Sequence, residues 1–168
     1  MSADPALFAP PPSRGPRTYV VPRQVAFGPG AADRTGSLAA PFGPIAFLVT
    51  YPPGRTTASG GPAQVEGSLR SAGLRVTRYE IGADPEVLAV DAAAAACRAS
   101  GATVVVGVGG GGPLDAAKAV AALVANPGTA EEYQMGRALE QDPLPFVAVP
   151  TTVGTGSEAT MVAVLRHR

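Results

Sequence analysis

Tryptophan is absent from this 168-residue chain, aromatic residues make up only 5%, and cysteine, histidine and lysine occur once each. With so few rings, the core must be filled by alanine, valine and leucine. The 46% hydrophobic content supplies these and argues against global disorder. The single cysteine, Cys97, cannot make an internal disulfide, and its place in the apolar run 92–97 reads as a buried, inert thiol. A lone histidine, His167, cannot assemble a metal centre. The 13 basic and 13 acidic residues cancel, which argues against a nucleic-acid groove or an anionic-membrane surface. No apolar run approaches the roughly 20 residues of a membrane-spanning helix. The start of the chain lacks the charged-then-apolar order of a secretory signal, so a cytoplasmic location is expected.

What is present has the size of one domain. Residues 1–17 are proline-rich and read as a disordered tail, leaving 18–168 as a single α/β domain. One or two short strands are predicted over 18–27, interrupted at Pro22, then a short helix near 31–39 and a buried strand at 45–50. A helix over 59–72 ends at Gly73, and 74–79 returns as a strand. Asp84 and Pro85 predict a helix start, with Asp84 as the cap, and Gly101 closes that helix after about residue 100. A strand at 104–106, a helix at 113–125 and a strand at 145–149 complete the series. Strands alternating with helices imply a parallel sheet covered on both faces.

Two segments carry chemistry. The valines at 104–106 run into four glycines, 109–112, and then an alanine-rich helix. Glycines let a ligand approach the backbone, and the helix start offers free N–H groups and the positive end of its dipole, a combination suited to phosphate. A ligand-free turn is the competing reading of the glycines alone. The second segment, 151–160, follows the last strand and holds four threonines, one serine and two glycines. Hydroxyls and amides at a strand end suit a ribose, phosphate or carboxamide, and ligands of open α/β sheets lie outside the carboxyl ends of the strands.

Together, GGGGPLDAAKA (109–119) and PTTVGTGSEAT (150–160) resemble the two signature segments of the iron-containing (group III) alcohol dehydrogenases. VAFGPG (25–30) resembles that family's opening hairpin. The resemblance implies the cofactor-binding N-terminal domain: a Rossmann-like parallel sheet with helices on both faces, as in dehydroquinate synthase. By the same resemblance, the family's C-terminal helical metal domain is expected to lie outside these residues. It implies NAD or NADP as cofactor, bound by Gly110, Gly111, Gly112, Asp115, Thr151, Thr152 and Thr160, with Val162 lining the pocket. Tyr51 and Asp84 are expected beside the adenosine. Iron(II), or zinc, would be held by one Asp and three His of the absent domain. A small alcohol or aldehyde would be the substrate, and a homodimer is possible. Maleylacetate reductase, hydroxyacid–oxoacid transhydrogenase and the glycerol dehydrogenases are enzymatic alternatives. A non-catalytic nucleotide-binding fragment is the alternative of another class.

Three departures from the family pattern bear on the cofactor. Gly112 stands where the family usually has serine, so one hydroxyl is missing. Tyr51 stands where NAD-preferring members carry Asp, and Arg55 could meet a 2′-phosphate. Asp84 stands where Asn is common. Asp115 and Lys118, three apart on one helix, read either as a surface ion pair worth under about 1 kcal/mol or as groups near the nicotinamide.

Overall fold

A computed structural model describes residues 22–54 and 61–167. The expected tail, the first part of the expected opening strands, Arg55 and the first residues of the 59–72 helix lie outside the described residues. Among the described residues four parallel strands form one sheet: β1 (Ile45–Thr50), β2 (Arg75–Glu80), β3 (Val104–Gly109) and β4 (Phe146–Pro150), in the order β2-β1-β3-β4. The described helices around it are α1 (Thr35–Ala39, between 3-10 turns), α2 (Gly61–Ser71), α3 (Val87–Ser100), α4 (Gly111–Ala125) and α5 (Ala130–Gln134).

Alternation along the central strands divides the core into two layers. Ala46, Leu48, Val104, Val106 and Val108 face α2, where Val65 and Leu69 meet them. Phe47, Val49 and Val105 face α3 and α4, packing on Val90, Ala93, Cys97, Ala117 and Val120. β3 carries Gly107 on that second face. A Cβ there would lie 2.9 Å from the Cβ of Ala117 and 3.2 Å from both Leu114 and Phe146. The glycine is what lets α4 lie so close to the sheet. Burial pushes the Cys97 thiol up to about 12, against a smaller opposing pull from Arg98, so it is protonated and inert as expected.

Several elements differ from expectation. Residues 22–27 form no strand; Phe27 is fully exposed, and among the described residues no neighbouring strand completes a ladder with them. Asp84 caps nothing. α3 begins after Glu86 without a side-chain cap, and the Val87 N–H instead donates to the Arg166 carbonyl at 3.1 Å. α4 begins two residues early, at Gly111, and β3 continues through Gly107 to Gly109. α5 was not expected, although Thr129 stands three residues before Glu132, the spacing of a capping box. The Thr129 hydroxyl accepts from the Glu132 N–H at 3.4 Å. Among the described residues no helix is long and apolar enough to cross a membrane.

Candidate nucleotide-binding site

The chain leaves β1 toward α2 on one face of the sheet and leaves β3 toward α4 on the other. Because β1 and β3 are neighbours, their carboxyl ends flank a crevice, the place where open sheets hold ligands. Tyr51 follows β1 there, and Gly109 to Gly112 follow β3. Gly109 has φ +150°, a conformation that side-chain-bearing residues rarely adopt, and it turns the chain from strand to helix. A Cβ on it would meet the Pro113 ring at 2.8 Å and the Tyr51 ring at 3.1 Å.

The next two glycines form the floor of the crevice. The point that a Gly110 Cβ would occupy lies 3.0 Å from both the Tyr51 hydroxyl and Thr152 Oγ1. For Gly111 the corresponding neighbours are Ser157 Oγ and Thr155 Cγ2, both at 3.3 Å. No side chain caps α4, and Pro113 has no N–H. The main-chain donors of its first turn are therefore the amides of Gly111 and Gly112. Gly112 is kept a glycine by its neighbours. A Cβ there would sit 1.9 Å from the Ala83 carbonyl oxygen, so no serine fits without displacing the 82–84 loop. The missing hydroxyl is excluded by packing.

The threonine-rich loop is tied to the glycine turn at its start, where the Thr151 N–H donates to the Gly109 carbonyl at 2.9 Å, extending the β3–β4 ladder. Thr151 is half-buried, Thr152 and Thr155 are exposed, and Ser157 is buried. The structure thus brings together Tyr51, Gly110, Gly111, Gly112 and Thr152, with Thr151 just beneath. It adds Thr155 and Ser157, whose only sequence signal was membership of the same hydroxyl-rich loop. Asp84 is exposed, and the nearest approach of its loop to the glycines is the Ala83 carbonyl.

Thr160, Val162, Asp115 and Lys118 lie together in a second cluster. Val162 is 64% exposed, which overturns its alternative reading as core. Asp115 and Lys118 do not form a surface ion pair: their side chains are 9% and 12% exposed, with Lys118 Nζ 3.0 Å from Asp115 Oδ1. That contact is ionic without the alignment of a directed hydrogen bond, which leaves Oδ1 without a hydrogen-bond donor. Asp115 Oδ2 accepts from the Val164 N–H at 3.1 Å, and Lys118 donates to Thr160 and to the Val162 carbonyl.

Two concavities lie elsewhere. One, about 520 Å³, is open and lies between Asp33 and Ser68; the other, about 290 Å³, lies between α4, α5 and Leu165. Arg137 lines the second, but Glu132 and Glu140 already pair with it. Among the described residues no group of three His, Cys, Asp or Glu side chains could hold a metal ion. His167 lies 2.7 Å from Glu131.

The sequence profile described as iron-containing alcohol dehydrogenase matches residues 22–168. The probable alcohol dehydrogenase EutG of Escherichia coli (strain K12) is 36% identical over 151 residues, covering 89% of this chain and 38% of that protein. Among solved structures, a 1,3-propanediol oxidoreductase superposes with a TM-score of 0.79 at 32% identity, covering 89% of this chain and 39% of its own. Sulfoacetaldehyde reductase from Bifidobacterium kashiwanohense, solved in complex with NAD+, gives 0.77 at 32% identity, covering 90% of this chain and 40% of its own. The chain therefore spans about two-fifths of the length of these relatives. It belongs to the iron-containing alcohol dehydrogenase family.

Proposed function

We propose that residues 18–168 are the NAD(P)-binding part of an alcohol dehydrogenase-like oxidoreductase, one that moves hydride between the nicotinamide and a small alcohol or aldehyde. One observation carries this reading. Hydroxyl groups of Tyr51, Thr152 and Ser157, from two separate loops, converge on side-chain-free backbone at the start of α4. Amides, a helix dipole and hydroxyls in one crevice form a site for a pyrophosphate and its ribose. The NAD+ in the related sulfoacetaldehyde reductase structure supports the choice of nucleotide.

In this reading the Gly111 and Gly112 amides hold the pyrophosphate, and Thr151, Thr152 and Thr160 belong to the far wall of the site. Tyr51, whose ring already covers Gly109 and Gly110, meets the adenosine side. Iron or zinc does not fit among the described residues, so this chain's own contribution is to bind and orient the nucleotide and exclude water around it.

The test is a titration of the folded chain with NADH and NADPH, followed by fluorescence and calorimetry, beside Gly111→Val. A valine at 111 would push into the space between Gly111, Thr155 and Ser157. Affinity should fall about tenfold or more, a loss of about 1.4 kcal/mol. Equal affinities would reduce the glycine floor to a structural turn.

A further inference from the structure

Lys118 is the one lysine of the chain, and its ammonium is fully engaged by the protein itself. Nζ faces Asp115 Oδ1 at 3.0 Å and donates to the Thr160 carbonyl at 3.2 Å, to Thr160 Oγ1 at 3.3 Å and to the Val162 carbonyl. These oxygens already outnumber its three N–H bonds. Asp115 adds the Val164 N–H. The pair thus holds alternate residues, 160, 162 and 164, of the segment that leaves the threonine-rich loop. Ala163 and Leu165 turn inward from it, while Val162 and Val164 point out.

Farther along, that segment is held again. The Arg166 N–H donates to the Pro85 carbonyl at 2.9 Å, and Gln134 donates to the Leu165 carbonyl at 2.9 Å. The loop itself is different. Between the Thr151 bond to Gly109 and the grip on Thr160, the described bonds are local: Ser157 N–H to Thr155 Oγ1 at 3.4 Å, and Ala159 N–H to the Gly156 carbonyl at 2.9 Å. The stretch carrying Thr152, Thr155 and Ser157 is therefore fixed by its two ends.

We propose that Asp115 and Lys118 are positioning residues that clamp the downstream end of the threonine-rich loop, setting how closely its hydroxyls approach the Gly111 and Gly112 amides. Their charges serve the protein's own backbone and not the nucleotide. A cation is needed because one group must draw in a carboxylate and two carbonyls at once. The carboxylate is needed to hold the cation and to receive the Val164 amide. This inference rests on the nucleotide reading of the crevice, and the experiment separates the two.

Amide hydrogen exchange across residues 160–164 and NADH affinity are measured on the chain and on Lys118→Met, Lys118→Arg and Asp115→Asn. In Lys118→Met, exchange at 160–164 should quicken about tenfold while β1 and β3 stay protected. NADH should bind about fivefold more weakly, the low end of coupling between linked groups. Lys118→Arg, which keeps the charge and several donors, should restore both. Asp115→Asn keeps an acceptor for Val164, so it should loosen 160 and 162 more than 164. Unchanged exchange in Lys118→Met would overturn the clamp. Weaker NADH binding with unchanged exchange would place the lysine on the nucleotide instead, and would overturn it equally. Should Lys118→Met fail to fold, the Asp115→Asn exchange pattern decides. A wild-type chain that binds neither NADH nor NADPH would defeat the nucleotide reading, and the exchange arm alone would then judge the clamp.

Discussion

The two loops of the crevice are built in opposite ways. The glycine turn is made of backbone, sits at the end of a fully buried strand and is fixed from beneath by the contact of Gly107 with Ala117. The threonine-rich loop is made of side chains, leaves a half-buried edge strand, and owes its place to a few polar bonds at its ends. Close packing and main-chain bonds can hold one half of a site rigid with no side-chain polar interaction. The other half can then be tuned by single hydrogen bonds without disturbing the core.

This contrast can be attacked first at its buried side. Cys97 is titrated only at a cost to folding, because its thiol rises from 9.0 to about 12 in the folded chain. Between those values the unfolded state has lost the proton that the native state keeps. Stability is therefore complete below pH 9.0 and falls as pH rises toward about 12. The expected slope is about 1.4 kcal/mol per pH unit, read as the difference in denaturant midpoints between the chain and Cys97→Ala. Parallel pH profiles for the two would contradict it.

Gly107→Val drives a branched side chain into Ala117, Leu114 and Phe146. It should cost about 3 kcal/mol by thermal or urea unfolding, the upper range of overpacking. A variant as stable as the parent would show that α4 can retreat from the sheet. Gly112→Ser restores the serine common in the family but meets the Ala83 carbonyl. It should destabilise by about 1–2 kcal/mol and should not tighten NADH binding; a serine variant that binds more tightly at unchanged stability would sink this reading.

At the crevice mouth, Tyr51→Asp replaces a ring by a carboxylate where the proposed reading puts the adenosine. It should shift preference toward NAD by about 1–3 kcal/mol through repulsion of the 2′-phosphate. Competitive titration with NADP checks it, and a wild type that prefers NAD strongly and is unmoved by the change would place Tyr51 elsewhere. Thr152→Ala has the smallest expected effect: under about 0.5 kcal/mol on stability and about 1 kcal/mol on affinity, one hydrogen bond.

What could be read from the sequence follows the same division. β1 falls on Ile45–Thr50 as expected, because a continuous apolar run between Pro44 and Pro52 admits little else. Gly101 ends α3 in the left-handed conformation, as its position after a helical run implies. The glycine floor was legible because backbone exposure is written in glycine. The pairing of Asp115 with Lys118 was legible from their spacing, but their partners at 160, 162 and 164 and the exposure of Val162 were not, since these depend on where residues 160–166 return. No local pattern reports that a helix start will be completed by Arg166 or that Ala83 will crowd Gly112. Asn126 is a similar case. Its buried amide donates to Ala122 and Gln141 and accepts from Glu140 and Gln141, binding a stretch for which the sequence offered no element.

The crevice gathers Tyr51 from early in the chain, the glycines from its middle and Thr152 from late in it. Such long-range closure comes late in folding, because each loop must be closed before its contacts repay the lost entropy. A nucleotide that needs all three segments has no purchase on a half-formed sheet. Its affinity for the finished state adds directly to that state's stability. During folding, a saturating nucleotide would slow unfolding without speeding the early steps, acting as a ratchet on the last stage of assembly.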